Sequence, residues 1–259
     1  MYKKLALFAT LLSTLVLVSL GPPARAADPV DLALVLVSDV SRSIDDREFD
    51  LQKKGYRAAF LDPRVLMAIK SGVTGAIAVT YVEFADFVQV QQVVDWAIIR
   101  DEETAGVFAD QLAKAPRSFW GRTSISAGVD YAMQLLNKSG IKAARRVIDV
   151  AGDGTNNAGR EVSAARDEAV RAGVTINGLT IINDNPMNYN FAHVQPPGGL
   201  AQWYRQNVTG GANSFVLEVH DFHSFGEAMT RKLITEIAGA DFVRRQASLS
   251  PVRRVRKPA

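Results

Sequence analysis

The sequence predicts an α/β domain built on a doubly wound, mostly parallel sheet with one antiparallel edge strand. Apolar β-rich runs alternate with helical patterns along most of the chain. Several of those runs are almost continuously apolar, as expected for parallel strands covered on both faces. One run, "FVQVQQVVDWAII" at 87–99, partly alternates and follows its predecessor across a short turn, which suits an antiparallel hairpin at the sheet edge.

Residues 1–26 read as an export signal. Lys3 and Lys4 precede the apolar stretch "LALFATLLSTLVLVSL", and "ARA" at 24–26 is a small-x-small cleavage site. The expected domain is residues 27–243. Its strands are "DLALVLVS" (31–38), "TGAIAVTYVEF" (74–84), the edge run, "RRVIDVA" (145–151), "VTINGLTII" (174–182) and "SFVLEV" (214–219). Between them, "SIDDREFDLQKKGYRAAF" predicts a helix with Ser43 as N-cap and acids in its first turn. "TSISAGVDYAMQLLNKSG" places Ile125, Val129, Met133 and Leu136 on one stripe before Gly140. "GREVSAARDEAVRAG" stops at Gly173, and "DFHSFGEAMTRKLITEIAG" carries Phe222, Phe225, Met229 and Leu233 at helical spacing. Residues 183–213 break the alternation with Asn, Pro, Gly and aromatics. They predict a mobile excursion that reads a partner, with Tyr189, Phe191, Trp203 and Tyr204 as sticky surface and "LAQWYRQNV" as a short helix within it.

The formal charge of +3 hides two opposite regions. Residues 27–243 contain all 27 acidic residues of the chain and 21 of the basic ones, a net of −6. The segment 244–259 has six basic residues and no acid, and reads as a disordered tail able to make weak contact with an anionic envelope surface. An acidic body argues against nucleic-acid binding. The absence of cysteine removes disulfides, thiol chemistry and Cys-ligated zinc.

Chemistry-bearing residues gather where strands run into helices. In open α/β sheets this is where ligands bind. Asp39, Ser41 and Ser43 alternate at the end of the first strand; Thr123 and Ser124 precede a helix in "FWGRTSISAG"; Asp153 sits in the turn of "VIDVAGDGTNN". Each alone has a plain explanation, since Ser, Thr and Asp cap helices and shape turns. Together they offer only oxygens, the donor type of hard cations, and a compact set that leaves room for water suits Mg²⁺ better than a Ca²⁺ cage. Hydroxyls bind without cancelling charge, so such a cation stays able to take an anionic ligand.

"DVSRS", "GRTS" and "AGDGTNN" together resemble the three loops of the metal-ion-dependent adhesion site of von Willebrand factor A-like domains, over about residues 30 to 240. "NVTGGANSFVLEV" and "AMTRKLITEIAG" resemble more closely an exported bacterial subgroup of uncharacterised role. The resemblance implies a Rossmann-like sheet and a Mg²⁺ or Mn²⁺ ion. It implies that Ser41 and Ser43 ligate directly, Thr123 directly or through water, and Asp39 and Asp153 largely through water. A partner carboxylate would complete the sphere. The expected function is therefore a periplasmic or secreted module that binds a protein or peptide through an exposed acidic side chain. The alternative is a metal-assisted hydrolase of a phosphorylated or esterified envelope substrate. It lacks an evident general base, because all three histidines come late in the chain.

The export signal is tested on protein recovered from its native host. Intact mass should place the N-terminus at Ala27, and retention of Met1 on most exported molecules would reject cleavage.

Overall fold

The computed structural model describes residues 28–182, 195–220 and 222–249, with residues 240–249 described as helix backbone alone. The predicted signal segment 1–26 and residues 183–194 of the predicted excursion lie outside the described residues.

Six strands form one sheet: β1 (Val30–Asp39), β2 (Ile77–Phe84), β3 (Val90–Ile99), β4 (Ala143–Gly152), β5 (Thr175–Ile181) and β6 (Val216–Val219), in the order β3-β2-β1-β4-β5-β6. β1 pairs in parallel with both β2 and β4, and the parallel pattern continues through β5 to β6. β3 returns antiparallel beside β2, as its alternating sequence predicts. The sheet is the predicted doubly wound, mostly parallel one with a single antiparallel edge strand.

Helices cover both faces. α1 (Asp46–Leu61), α2 (Pro63–Lys70), α3 (Glu102–Lys114) and α7 (Phe225–Leu249) lie on one side. Their Tyr56, Phe60, Phe108 and Phe225 pack onto Leu32, Leu34 and Leu36 of β1. α4 (Ile125–Lys138), α5 (Val162–Arg171) and α6 (Leu200–Asn207) cover Ala33, Val35 and Val37 on the other. β1 thus alternates between two cores and is buried almost throughout.

Local sequence explains where the helices begin, and corrects the expected start of α1. Its N-cap is Asp45 rather than Ser43: the Asp45 side chain accepts the Glu48 N–H, and the Glu48 side chain accepts the Asp45 N–H, a reciprocal capping box. α2 and α3 stand beyond the helices predicted. Asp62 caps α2 with Pro63 in its first turn, and Asp101 caps α3 through Thr104. The C-terminal helix changes direction at Gly239, whose φ of 74° is left-handed. Arg145 of β4 donates to the Glu236 and Ile237 carbonyls at 2.6 Å each, closing the helical turn just before that break. The helix then continues to Leu249, so residues 244–249 of the segment expected to be a disordered tail are helical, and 250–259 lie outside the described residues.

Of the excursion 183–213, only residues 195–213 can be compared with expectation. The predicted short helix is α6, but Leu200, Ala201, Tyr204 and Val208 are buried in the second core, and Gly210 bridges back to Ile176 of β5. Tyr204 is a core residue with no exposed surface.

The face under α1 and α7 carries buried charge. Lys53 of α1 pairs with Glu83 of β2 at 3.1 Å, and the other Glu83 oxygen accepts the Ser118 N–H. Farther along, Lys232 of α7 lies 2.7 Å from Asp149 of β4 and 2.5 Å from Glu236, which also accepts a hydrogen bond from Asn177. Burial alone would lower Lys232, but the two carboxylates outweigh it and its pKa is raised. Burial, and then the negative Glu236, push Asp149 up to about 7. One ammonium cannot balance two ionised carboxylates out of water.

This cluster sets a pH dependence. The unfolded chain ionises Asp149 near its ordinary value of 3.8, while the folded chain resists up to about 7. Its contribution to stability is therefore fully present below the unfolded value and lost as pH rises through the folded one. Melting temperature followed from pH 4 to 8 should fall across that window in wild type and fall less in Asp149→Asn. Parallel curves would remove Asp149 as the source.

Candidate metal centre at the carboxyl ends of β1 and β4

The five residues singled out in the sequence come together. Asp39 ends β1 with no exposed surface, Asp153 follows β4 and is 5% exposed, and Ser41 and Thr123 are as deeply placed at 2% and 1%. Ser43 is half-buried. A continuous hydrogen-bonded chain joins them. The Ser41 N–H donates to Asp39 Oδ1 at 2.8 Å, and Thr123 Oγ1 donates to Ser41 Oγ at 3.1 Å. Ser41 and Ser43 share a bond of 3.2 Å between their hydroxyls, and Ser43 Oγ donates to Asp153 Oδ1 at 2.8 Å.

Three loops supply these groups and are tied to one another through backbone. Val40 N–H donates to the Phe84 carbonyl, Arg42 N–H to Gly121, and Ser124 N–H to Ala85. Asn157 clamps the second loop to the third: its Oδ1 accepts the Thr123 N–H at 2.9 Å and its own N–H donates to the Thr123 carbonyl at 2.8 Å. Asn156 accepts the Ser126 N–H, holding the first turn of α4. Thr123 is not the helix cap. That position is Ser124, which leaves the Thr123 hydroxyl facing Ser41.

Sequence reasoning missed three contributors. Arg117, whose side chain is 7% exposed, donates to the carbonyls of Val40, Ser41 and Phe119 at 2.6, 2.7 and 3.0 Å and lies under the Trp120 ring at 3.6 Å. Burial lowers its pKa, while Asp46 and Asp39 pull the other way. Nothing in "KAPRSFW" marks this arginine except its position in a loop beside the Thr123 motif. Glu48, the capping acid of α1, is pushed up to about 7 by burial, with Asp45 and Asp153 adding to the rise. Tyr204 approaches from α6, across the interval that sequence composition marks as irregular.

The donor set fits a hard cation. Among the described residues, no three His, Asp or Glu side chains form a metal-binding group, so a cation held here relies on hydroxyls beside two carboxylates. That chemistry suits Mg²⁺ or Mn²⁺ with part of its water retained. The two described histidines lie elsewhere, His220 beside Glu218 at 3.4 Å and His223 beside Arg47 at 3.3 Å.

Sheet order, flanking helices and loop positions are those of a von Willebrand factor A-like fold, and solved structures agree. Proximal thread matrix protein 1 from the mussel byssus superposes with a TM-score of 0.56 at 15% identity, over 81% of this chain and 46% of that one. Another structure of that mussel protein has a zinc-occupied MIDAS motif, the metal-ion-dependent adhesion site. A von Willebrand factor type A protein from Catenulispora acidiphila gives 0.55 at 12% identity, over 80% and 43% of the two chains. The pilus adhesin SpaC from Lactobacillus rhamnosus GG gives 0.52 at 13%, over 80% and 31%. The chain thus spans less than half the length of each of these structures. No curated protein matches it. The chain belongs to the family described as protein of unknown function (DUF1194), whose model matches residues 29–241.

The Arg117 clamp gives a direct test. Arg117→Ala takes the guanidinium from the buried Val40 carbonyl and leaves the Ser41 carbonyl with the Ile44 N–H alone, and should cost about 1–3 kcal/mol in denaturant unfolding. Arg117→Lys should recover less than half of that, because an ammonium cannot span three carbonyls as the fork does. A loss below about 0.5 kcal/mol in Arg117→Ala, the scale of an ordinary surface change, would mean that the clamp does not hold the loop.

Proposed function

We propose that this protein is an exported, metal-dependent binding module that captures a protein or peptide through an acidic side chain. The observation that carries the reading is the single hydrogen-bonded set of Asp39, Ser41, Ser43, Thr123 and Asp153 at the carboxyl ends of the parallel strands. These residues would hold Mg²⁺ or Mn²⁺. A cation bound there supplies positive charge and room for an oxygen anion. Three of the five groups are neutral hydroxyls, so the chain itself cancels only part of that charge.

The surroundings support a macromolecular partner. Of the six large hydrophobic residues that stand exposed among the described ones, Phe87, Val88 and Trp120 belong to the two loops next to Thr123. The first two also border a shallow groove of about 290 Å³ with Ala127 and Tyr131. Apolar side chains gathered beside a polar centre are a common form of protein-binding surface. The 16-residue export-type apolar run and small-x-small site support a periplasmic or secreted location. In the hydrolase alternative, Glu48 is a candidate base that feels the charge of Asp153, yet its Oε2 already accepts the Asp45 N–H at 2.8 Å. A screen for Mg²⁺- and Mn²⁺-dependent turnover of phosphate and carboxylic esters separates the two classes.

Calorimetric titration of Mg²⁺ and Mn²⁺ into wild type, Asp39→Ala and Ser41→Ala tests the centre. Both variants should bind at least roughly tenfold more weakly, Asp39→Ala most clearly because it removes charge as well as an acceptor. Bound metal should raise the melting temperature of wild type, by about 2.7 kcal/mol of added stability at 100 times Kd, and not that of Asp39→Ala. Thr123→Ala should weaken metal-dependent capture of envelope proteins more than it weakens resting metal binding. Equal metal binding by wild type and Asp39→Ala, or none by folded wild type, would leave a fold without this function.

A further inference from the structure

Tyr204 has a hydroxyl that the fold goes out of its way to bury. The residue has no exposed surface, and its Oη has no hydrogen-bond partner among the described residues. A phenol in a purely packing role could be phenylalanine at no cost to its neighbours. A buried hydroxyl left without a partner is instead a standing penalty.

The slot that admits the ring is made by two glycines on the α6 side of adjacent strands. A Cβ on Gly178 of β5 would lie 2.9 Å from Tyr204 Cδ1, and one on Gly152 of β4 would lie 2.8 Å from Tyr204 Oη. The same Cβ on Gly152 would lie 3.2 Å from Asp39 Oδ2. Gly152 is therefore the point where the phenol and the buried carboxylate of the first loop approach the same space. A phenol keeps its proton at neutral pH, so the hydroxyl can donate toward that space.

We propose that Tyr204 is a positioning residue of the cation centre, its hydroxyl anchoring a cation-shell water against Asp39. The inference rests on the metal-binding reading above and adds a residue that none of the three sequence motifs contains. It gives α6 a role at the centre: the helix delivers a buried hydroxyl beside Gly152, next to Asp39.

The test is Tyr204→Phe, which removes one oxygen and leaves the ring to fill the slot. Mg²⁺ and Mn²⁺ are titrated by calorimetry into wild type, Tyr204→Phe and Asp39→Ala, and melting temperature is read with and without Mg²⁺. The expected result is affinity lower by about tenfold or more in Tyr204→Phe, the scale of losing a group that orients a metal's ligands. Without metal, the variant should melt at or above the wild-type temperature, because an unsatisfied polar atom has been removed. A merely structural hydroxyl would give the opposite pattern, a lower metal-free melting temperature with unchanged affinity, and would overturn the proposal. Equal affinities in wild type and Tyr204→Phe, with Asp39→Ala impaired, would overturn it while leaving the cation centre intact. No binding by wild type would remove the centre and the proposal together.

Discussion

A carboxylate with no exposed surface stands at the end of β1, an interior strand buried almost throughout, and the loops at that end of the sheet answer to it. Asp39 leaves water because β1 sits between β2 and β4 with helices on both sides. Such a group needs donors and nearby positive charge to remain ionised. The Ser41 N–H supplies one donor, and Arg117 brings its guanidinium to the carbonyls of the same loop. The loop in turn is fixed by backbone bonds to the Phe84 and Gly121 carbonyls, so its geometry is set by neighbouring elements rather than by its own three or four residues. The proposed divalent cation would bring further positive charge to these two buried acids and the hydroxyls around them.

The two faces of the sheet solve the problem of buried polarity differently. On the α4–α6 face the polar groups collect at one end, where loops meet. On the α1–α7 face they lie within the core itself, as Lys53 with Glu83 and Lys232 with Asp149 and Glu236. Lys53–Glu83 and Lys232–Asp149 join elements far apart in sequence and are costly to split, since removing one partner strands the other. They also reach the functional end indirectly: Glu83 receives the Ser118 N–H and thereby helps anchor the loop that carries Arg117 and Thr123.

What could be read in the sequence was what depends on local pattern. Strand runs, the antiparallel edge and the stripe of α4 follow from hydrophobic period, and the three oxygen-bearing loops follow from their position after strands. Ser43 was assigned to helix capping because the residue type favours caps, but its hydroxyl is committed to Asp153 and Asp45 caps instead. α2 begins at Pro63, a residue that reads as a break although it is well suited to a helix start. Arg117 and Tyr204 were invisible for another reason. Their roles are set by long-range approach, and Tyr204 sits in a Gly- and Asn-rich interval whose composition resembles an exposed loop. Only the paired absence of side chains at Gly152 and Gly178 explains why it turns inward.

The two sheet margins bear on how such a molecule meets others. β6 has only four residues, and the pairing of β3 with β2 slips twice, between Val79 and Tyr81 and between Tyr81 and Val82. Thr80 fills the irregular stretch by donating to the Val94 carbonyl and accepting from Gln92. Interrupted or short borders are poor templates for a further strand. Chains of this kind therefore offer little free edge for stacking strand to strand into fibrils. In the proposed binding function, selectivity falls to the loop end, where side-chain chemistry rather than backbone pairing would decide what stays bound.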